Sequence, residues 1–283
     1  DISLALRLTE AIRSEPFLIS HLVRMAMLQA AEQAVWEGLA KHRWTDAQLC
    51  ELERQLAVFD FVADYRAAMR AENAGQVATT EFLRRHPGQW RTIEGYDEND
   101  PSCFSDLVAY VIPSGWLYQN ELRGSKYLLE TLLPIGDVSR QTISPTLAKQ
   151  ADKSFQTMRF TPYTMLCKLL LPALAKHVSR FALAQATVNL SRTAGALERY
   201  RLAQGKYPET LDALAPQFIA KVPHDPIGGL PFHYRARGGG QFILYSVGWN
   251  EKDDGGTVSL TKMGRVDVDN GDWVWRYPDL PNP

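Results

Sequence analysis

The sequence predicts an α+β fold: an N-terminal multi-helix domain followed by a long helix and a small antiparallel sheet. Three observations carry that expectation. Apolar residues recur at spacings of three and four through the first half of the chain. A long helical pattern then ends at Gly205. Beyond it the period changes to strand-like alternation broken by glycine-rich turns. The 283 residues are enough for about two domains. The expected division is a helical domain over 1–162 and a second domain over 163–283.

The elements follow in order. The chain opens in a helical pattern at Leu4, Ala5, Leu6, Leu8, Ala11 and Ile12. Ser14-Glu15-Pro16 reads as the next helix start, since proline is tolerated in a first turn. Leu18, Leu22, Met25, Leu28, Ala31, Val35 and Leu39 then form one apolar stripe. Thr45 and Gln48 have the spacing of a capping box, and Trp44 with Leu49 that of a hydrophobic staple. The helix they open carries Leu49, Leu52, Leu56 and Phe59, and helical patterns continue over 61–71 and 78–85. His86-Pro87-Gly88 is a breaker, and Glu94–Ser102 is a polar, turn-rich loop. Its Asp97, Glu98 and Asp100 lack the spacing of an EF-hand. Further helices are expected over 115–133 and 145–158, the first stopped by Pro134.

A long helix is expected from Tyr163 to Gln204, kinked or split at Pro172. Gly205 is placed to end it in a left-handed conformation. A short helix over 209–218 follows, then a hairpin from 231–235 and 242–247 turned at Arg237–Gly240. Gly248–Arg265 reads as a polar loop, and Trp273-Val274-Trp275 as a last short strand.

Composition and motifs narrow the function classes. Hydrophobic residues at 45% and charged residues at 22% exclude a disordered or collagenous chain. Thirty-one basic against 32 acidic residues leave no basic field for nucleic acid. No apolar run reaches the length that spans a bilayer. Cys50, Cys103 and Cys167 form no disulfide framework and no metal-binding pair, and Cys50 and Cys167 read as small buried hydrophobes. The six histidines show no HExxH spacing, Ser246 lies outside any GxSxG elbow, and the glycines at 238–240 lie between strands rather than before a helix. A non-catalytic protein is therefore expected. Trp249, Trp273, Trp275 and Tyr277 gather near the C-terminus, either as core of the sheet or as an exposed platform.

Four segments in sequence carry a resemblance. They are Ala196-Leu197-Glu198-Arg199-Tyr200-Arg201-Leu202-Ala203-Gln204-Gly205-Lys206-Tyr207-Pro208, Asp225-Pro226-Ile227-Gly228-Gly229-Leu230-Pro231-Phe232-His233-Tyr234, Leu244-Tyr245-Ser246-Val247-Gly248-Trp249-Asn250 with Asp254-Gly255-Gly256, and Asp267-Val268. Together, over about 181–275, they resemble the soluble part of the major pseudopilin of type II secretion systems. The whole chain resembles bacterial envelope proteins that join a helical region to such a module. The resemblance implies a spine helix with a small sheet packed on its C-terminal part. It also implies a structural calcium ion in the loop after Ser246, with Asn250, Asp253, Asp254, Asp267 and Asp269 as oxygen donors. The other reading of these residues is a set of turns in which each side chain binds its own backbone. Asn250 stands where the family has aspartate.

In pilins the hydrophobic helix begins almost at the chain start; here it follows about 160 residues and contains Lys168 and His177. It is therefore expected to pack on the N-terminal helices rather than polymerise. The chain starts at Asp1, inside a helical pattern, so a membrane tether is expected from residues before it. The functional expectation is an exported structural or protein-interaction protein, periplasmic or membrane-anchored, with a protein partner in the envelope. The alternative is a peptide- or glycan-binding module that uses an interdomain groove, and an enzyme without a recognisable motif comes third.

Overall fold

The computed structural model describes residues 2–89, 111–171, 174–237, 240–264 and 266–275. The loop Glu94–Ser102, Cys103, Pro172 and Tyr277 lie outside the described residues. The chain has an α+β fold with a long helix and small antiparallel sheets. Its helices are α1 (Ile2–Ala11), α2 (Leu18–Ala40), α3 (Asp46–Leu56), α4 (Phe61–Arg85), α5 (Ser114–Lys126), α6 (Pro145–Thr157), α7 (Met165–Leu170) and α8 (Val178–Gln204). The capping box of α3 forms as its spacing predicts. Gln48 N–H donates to Thr45 Oγ1 at 3.3 Å, and Thr45 N–H donates to Gln48 Oε1 at 3.0 Å.

Two helices depart from expectation. The one expected over 115–133 is regular to Lys126, then widens into a π-helical turn over Tyr127–Leu132 and tightens at Leu133–Ile135. Pro134 supplies no N–H to the last turn, so a regular α ladder cannot run through it. By contrast, the helix expected over 163–204 is split as the sequence predicts, into α7 and α8, with a 3₁₀ turn at Ala175–His177 leading into α8. Gly205 ends α8 at φ 72° and donates its N–H to Arg201 O at 2.8 Å, as expected of a left-handed cap. The short helix expected over 209–218 is one 3₁₀ turn at Leu211–Leu214.

The strands are β1 (Gly136–Asp137), β2 (Thr142–Ile143), β3 (His233–Arg237), β4 (Gln241–Ser246), β5 (Val258–Leu260), β6 (Val266–Gly271) and β7 (Trp273–Trp275). The expected hairpin is β3–β4, with Tyr234 opposite Leu244, and β7 adds to the other edge of β4 with Trp275 opposite Leu244. The stretch expected to be a polar loop holds β5, which pairs antiparallel with β6. Three residues are too short to show a period, so this strand exists through its partner.

The described residues fall into two compact units. The first holds 1–66, 136–146 and 177–283; the second holds 67–135 and 147–176. The boundary drawn from sequence at 162/163 falls inside the second unit, and the N-terminal helices share a unit with the sheet. In the first unit α8 packs against α2, α3, β4, β6 and β7. Over Val178–Glu198 most of its residues are consequently buried, Val178, Phe181, Val188, Leu190 and Leu197 among them. Ala182, Ala186, Ala194, Gly195 and Ala196 let those neighbours approach closely. Each fully buried large apolar side chain contributes about 1.5–3 kcal/mol. In the second unit Leu83, Leu117 and Leu166 form a cluster extended by Ile112, Met165 and Leu170. Buried Asn120 ties α5 to α7 by donating to Pro162 O at 2.7 Å and accepting from Leu166 N–H at 2.9 Å.

Candidate functional site

The acidic loop is built on the end of β4. Gly248 stands where the chain leaves the strand, at φ 68°, with Gly271 O only 2.3 Å from where a Cβ would lie. Only glycine fits on both counts. The loop then closes on its own hydrogen bonds. Asn250 Oδ1 accepts from Lys252 N–H at 3.1 Å, and Asn250 Nδ2 donates to Asp254 Oδ2 at 2.8 Å. Asp253 Oδ1 accepts from Gly255 N–H and from the Tyr245 hydroxyl, both at 2.9 Å, and its other oxygen lies 3.4 Å from His233 Nδ1. Those two donors hold the Asp253 carboxyl below its usual range. Asp267 Oδ1 accepts from Asp269 N–H at 3.0 Å and its Oδ2 from Asn270 Nδ2 at 3.0 Å. Asp269 is exposed.

Of the five residues expected as donors, the structure brings Asn250 and Asp254 into one cleft of about 380 Å³, with Thr257, Ser259, Asn270 and Gly271. Asp253, Asp267 and Asp269 do not line it. Among the described residues no three His, Cys, Asp or Glu side chains are grouped so as to hold a metal ion. The cleft offers one carboxylate and neutral oxygens. Tight calcium sites use several carboxylates among six to eight oxygens, and this donor set does not fit that requirement.

The residue that closes the loop was not singled out in the sequence. Asp272, 1% exposed, accepts from Gly256 N–H at 2.7 Å and from Asp254 N–H at 3.1 Å. Its own N–H donates to Thr257 O at 2.8 Å. Burial raises its carboxyl pKa against the pull of those two N–H donors. Nothing local marks it, because all three partners lie 15 or more residues away.

Two further buried carboxylates serve as joints. Asp225 accepts from Ile227 N–H and the Ser246 hydroxyl at 2.9 Å and from Val247 N–H at 3.2 Å. It thereby pins the Asp225–Gly229 turn to the end of β4. Burial pushes its carboxyl up to about 6, against those donors. Glu198 accepts from His42 Nδ1 at 3.0 Å, from Arg201 Nη2 at 2.7 Å and from the Tyr207 hydroxyl at 2.9 Å. Burial alone would raise its pKa; Arg201, His42 and Tyr207 outweigh burial and hold it low. A third link runs through α8. Phe61 N–H donates to Gln185 Oε1 at 2.7 Å, Gln185 to Asn189 at 3.0 Å, and Asn189 to His224 O at 2.9 Å.

Other expectations are resolved by burial. Trp249, Trp273 and Trp275 are buried, so these three are core rather than an exposed platform. Cys167 is buried as expected, but Cys50 is exposed and corrects the reading of both as core. Its neighbours Leu49 and Leu52 fill the buried face of α3 and turn it outward. His21 is buried with neither ring nitrogen hydrogen-bonded; burial, then the Arg24 charge, lower its pKa to about 4. Among the described residues no helix is long and apolar enough to cross a membrane. No family model matches the sequence, and no curated protein and no solved structure matches it.

Proposed function

We propose that this chain is a non-catalytic structural or protein-interaction protein of the bacterial cell envelope, exported and carrying a pseudopilin-like module. One observation carries the reading. The long helix α8 is capped at Gly205, followed by the Asp225 turn and a three-stranded sheet, and packed against β4 and β7 on its own chain. That is the order of parts the resemblance implies. Two features refine it. α8 is also covered by α2 and α3, so it presents no apolar stripe for a filament, which supports a module reused as a domain. The buried carboxylates Asp225, Asp272 and Glu198 each hold backbone or side-chain donors of the fold, which supports a structural rather than a catalytic use.

Exposed Cys50 provides the test. A membrane-impermeant maleimide is applied to cells that naturally make the protein, with the outer membrane permeabilised, and a C50S variant is the control. Labelling of the wild type above the control before lysis supports export. Labelling that appears only after lysis overturns it.

A further inference from the structure

The last turn of α8, the chain just after α2 and the β3–β4 hairpin enclose a second cleft of about 480 Å³. It is lined by His42, Arg201, Lys206, Tyr207, Ala236 and Arg237, with Gly205 and Gly240 at its edges. Its charge is one-sided. Three permanent cations line it, and the carboxylate that bonds its lining, Glu198, is 2% exposed and hydrogen-bonded to Arg201 and His42. Arg201 is held rigidly there, because its Nε and Nη2 both bond Glu198, at 2.9 and 2.7 Å. Tyr207 joins this network, bonding both Glu198 and Arg201. Lys206 and Arg237 are exposed and have no hydrogen-bond or ion-pair partner among the described residues. Gly205 and Gly240, at φ 72° and 74°, would find nothing within 4 Å of an added Cβ, so the approach beside them is open.

We infer that this cleft binds a phosphate group, through Lys206 and Arg237 beside the anchored Arg201. A guanidinium fork fixed by a buried carboxylate is pre-organised for a tetrahedral or planar oxyanion. Two more cations beside it supply charge that Glu198 does not cancel. The volume exceeds a bare phosphate and leaves room for the group that bears it. The bearer is a free phosphate ester or a lipid headgroup, and the two give different results below.

The test titrates the intact chain with inorganic phosphate and pyrophosphate by NMR or calorimetry. It also measures co-sedimentation with phosphatidylglycerol vesicles against phosphatidylcholine vesicles. The variants are K206Q/R237Q, K206R/R237K and, as a charge-matched control, K221Q/K252Q, whose lysines are exposed outside the cleft. The expected result is saturable binding that K206Q/R237Q weakens about tenfold or more. K206R/R237K and the control should retain it, with thermal unfolding unchanged in all variants. Binding of the soluble anions alone assigns a free phosphate ester; binding of phosphatidylglycerol vesicles alone assigns a headgroup. Absence of binding to every probe overturns the inference. Equal weakening by the control pair, which would mark non-specific charge attraction, overturns it as well.

Discussion

Glu32 sits on α2, 5% exposed, and accepts a hydrogen bond from the Ser191 hydroxyl of α8 through one oxygen. Its other oxygen, Oε1, is buried with no partner. Burial raises the pKa to about 8 from an ordinary 4.5, against the opposing Ser191 bond. The folded chain therefore keeps a proton at Glu32 that the unfolded chain releases. Stability from this site is fully present below about pH 4.5 and is lost as pH rises through about 8. At about 1.4 kcal/mol per pH unit, that interval amounts to a few kcal/mol, of order 5 at most.

Glu32→Gln keeps the volume and cannot ionise. Urea unfolding of both proteins from about pH 5 to about pH 9 is the assay. Titrations shared by the two proteins cancel in the difference. These include Asp225, which lowers stability as pH rises from 3.8 to about 6, and His21, which raises it between about 4 and 6.5. Near pH 5 the variant should lie within about 1 kcal/mol of the wild type, the cost of one imperfectly paired amide. By pH 9 it should be the more stable by several kcal/mol. A difference that stays flat with pH would mean that Glu32 is ionised in the fold, and would refute the argument.

Other perturbations test the remaining joints. Arg24 is fully buried; it pairs with Glu10 and Asp64, donates to Thr9 O at 3.2 Å and lies over the Phe59 and Phe61 rings. Arg24→Ala leaves Asp64 buried with only the longer contact to half-exposed Arg13, at 3.7 Å, and should cost about 3–5 kcal/mol in urea unfolding; a loss under about 1 would contradict the pairing. Gly248→Ala forces a side chain into Gly271 O at positive φ, and a fall in stability of about 2 kcal/mol or more is expected by the same measurement. Retention of wild-type stability would show that the turn can rearrange. The hydrogen-bonded acidic loop should hold without metal, so chelator and millimolar calcium should give the same Tm. A rise of several degrees in calcium would show that the Asn250–Asp254 cleft takes the ion.

Features that rest on residues a few positions apart could be read directly from the sequence. Thr45 and Gln48 cap α3, Gly205 ends α8, and β3 pairs with β4 with Arg237 opposite Gln241. Within the candidate site, Asn250 and Asp254 were legible for the same reason, being four residues apart and hydrogen-bonded to each other. Asp253 and Asp267 are equally acidic but bond local turns, and Asp269 is exposed; composition does not encode direction. Asp272 and Asp225 hold the loop and the turn through partners up to 22 residues away, which no short motif records.

By itself the sequence determined the class of the fold and most helices, because capping, periodicity and glycine conformation are local properties of the chain. The tertiary structure alone decided that residues 1–66 and 177–283 share one unit, that α8 is packed between α2, α3 and the strands, and that Cys50 faces outward. It also gathered Arg201, Lys206 and Arg237 around one cleft from a helix end and a distant hairpin. Those outcomes depend on which buried surfaces meet, and the free energy of that choice is spread over contacts between residues far apart in sequence.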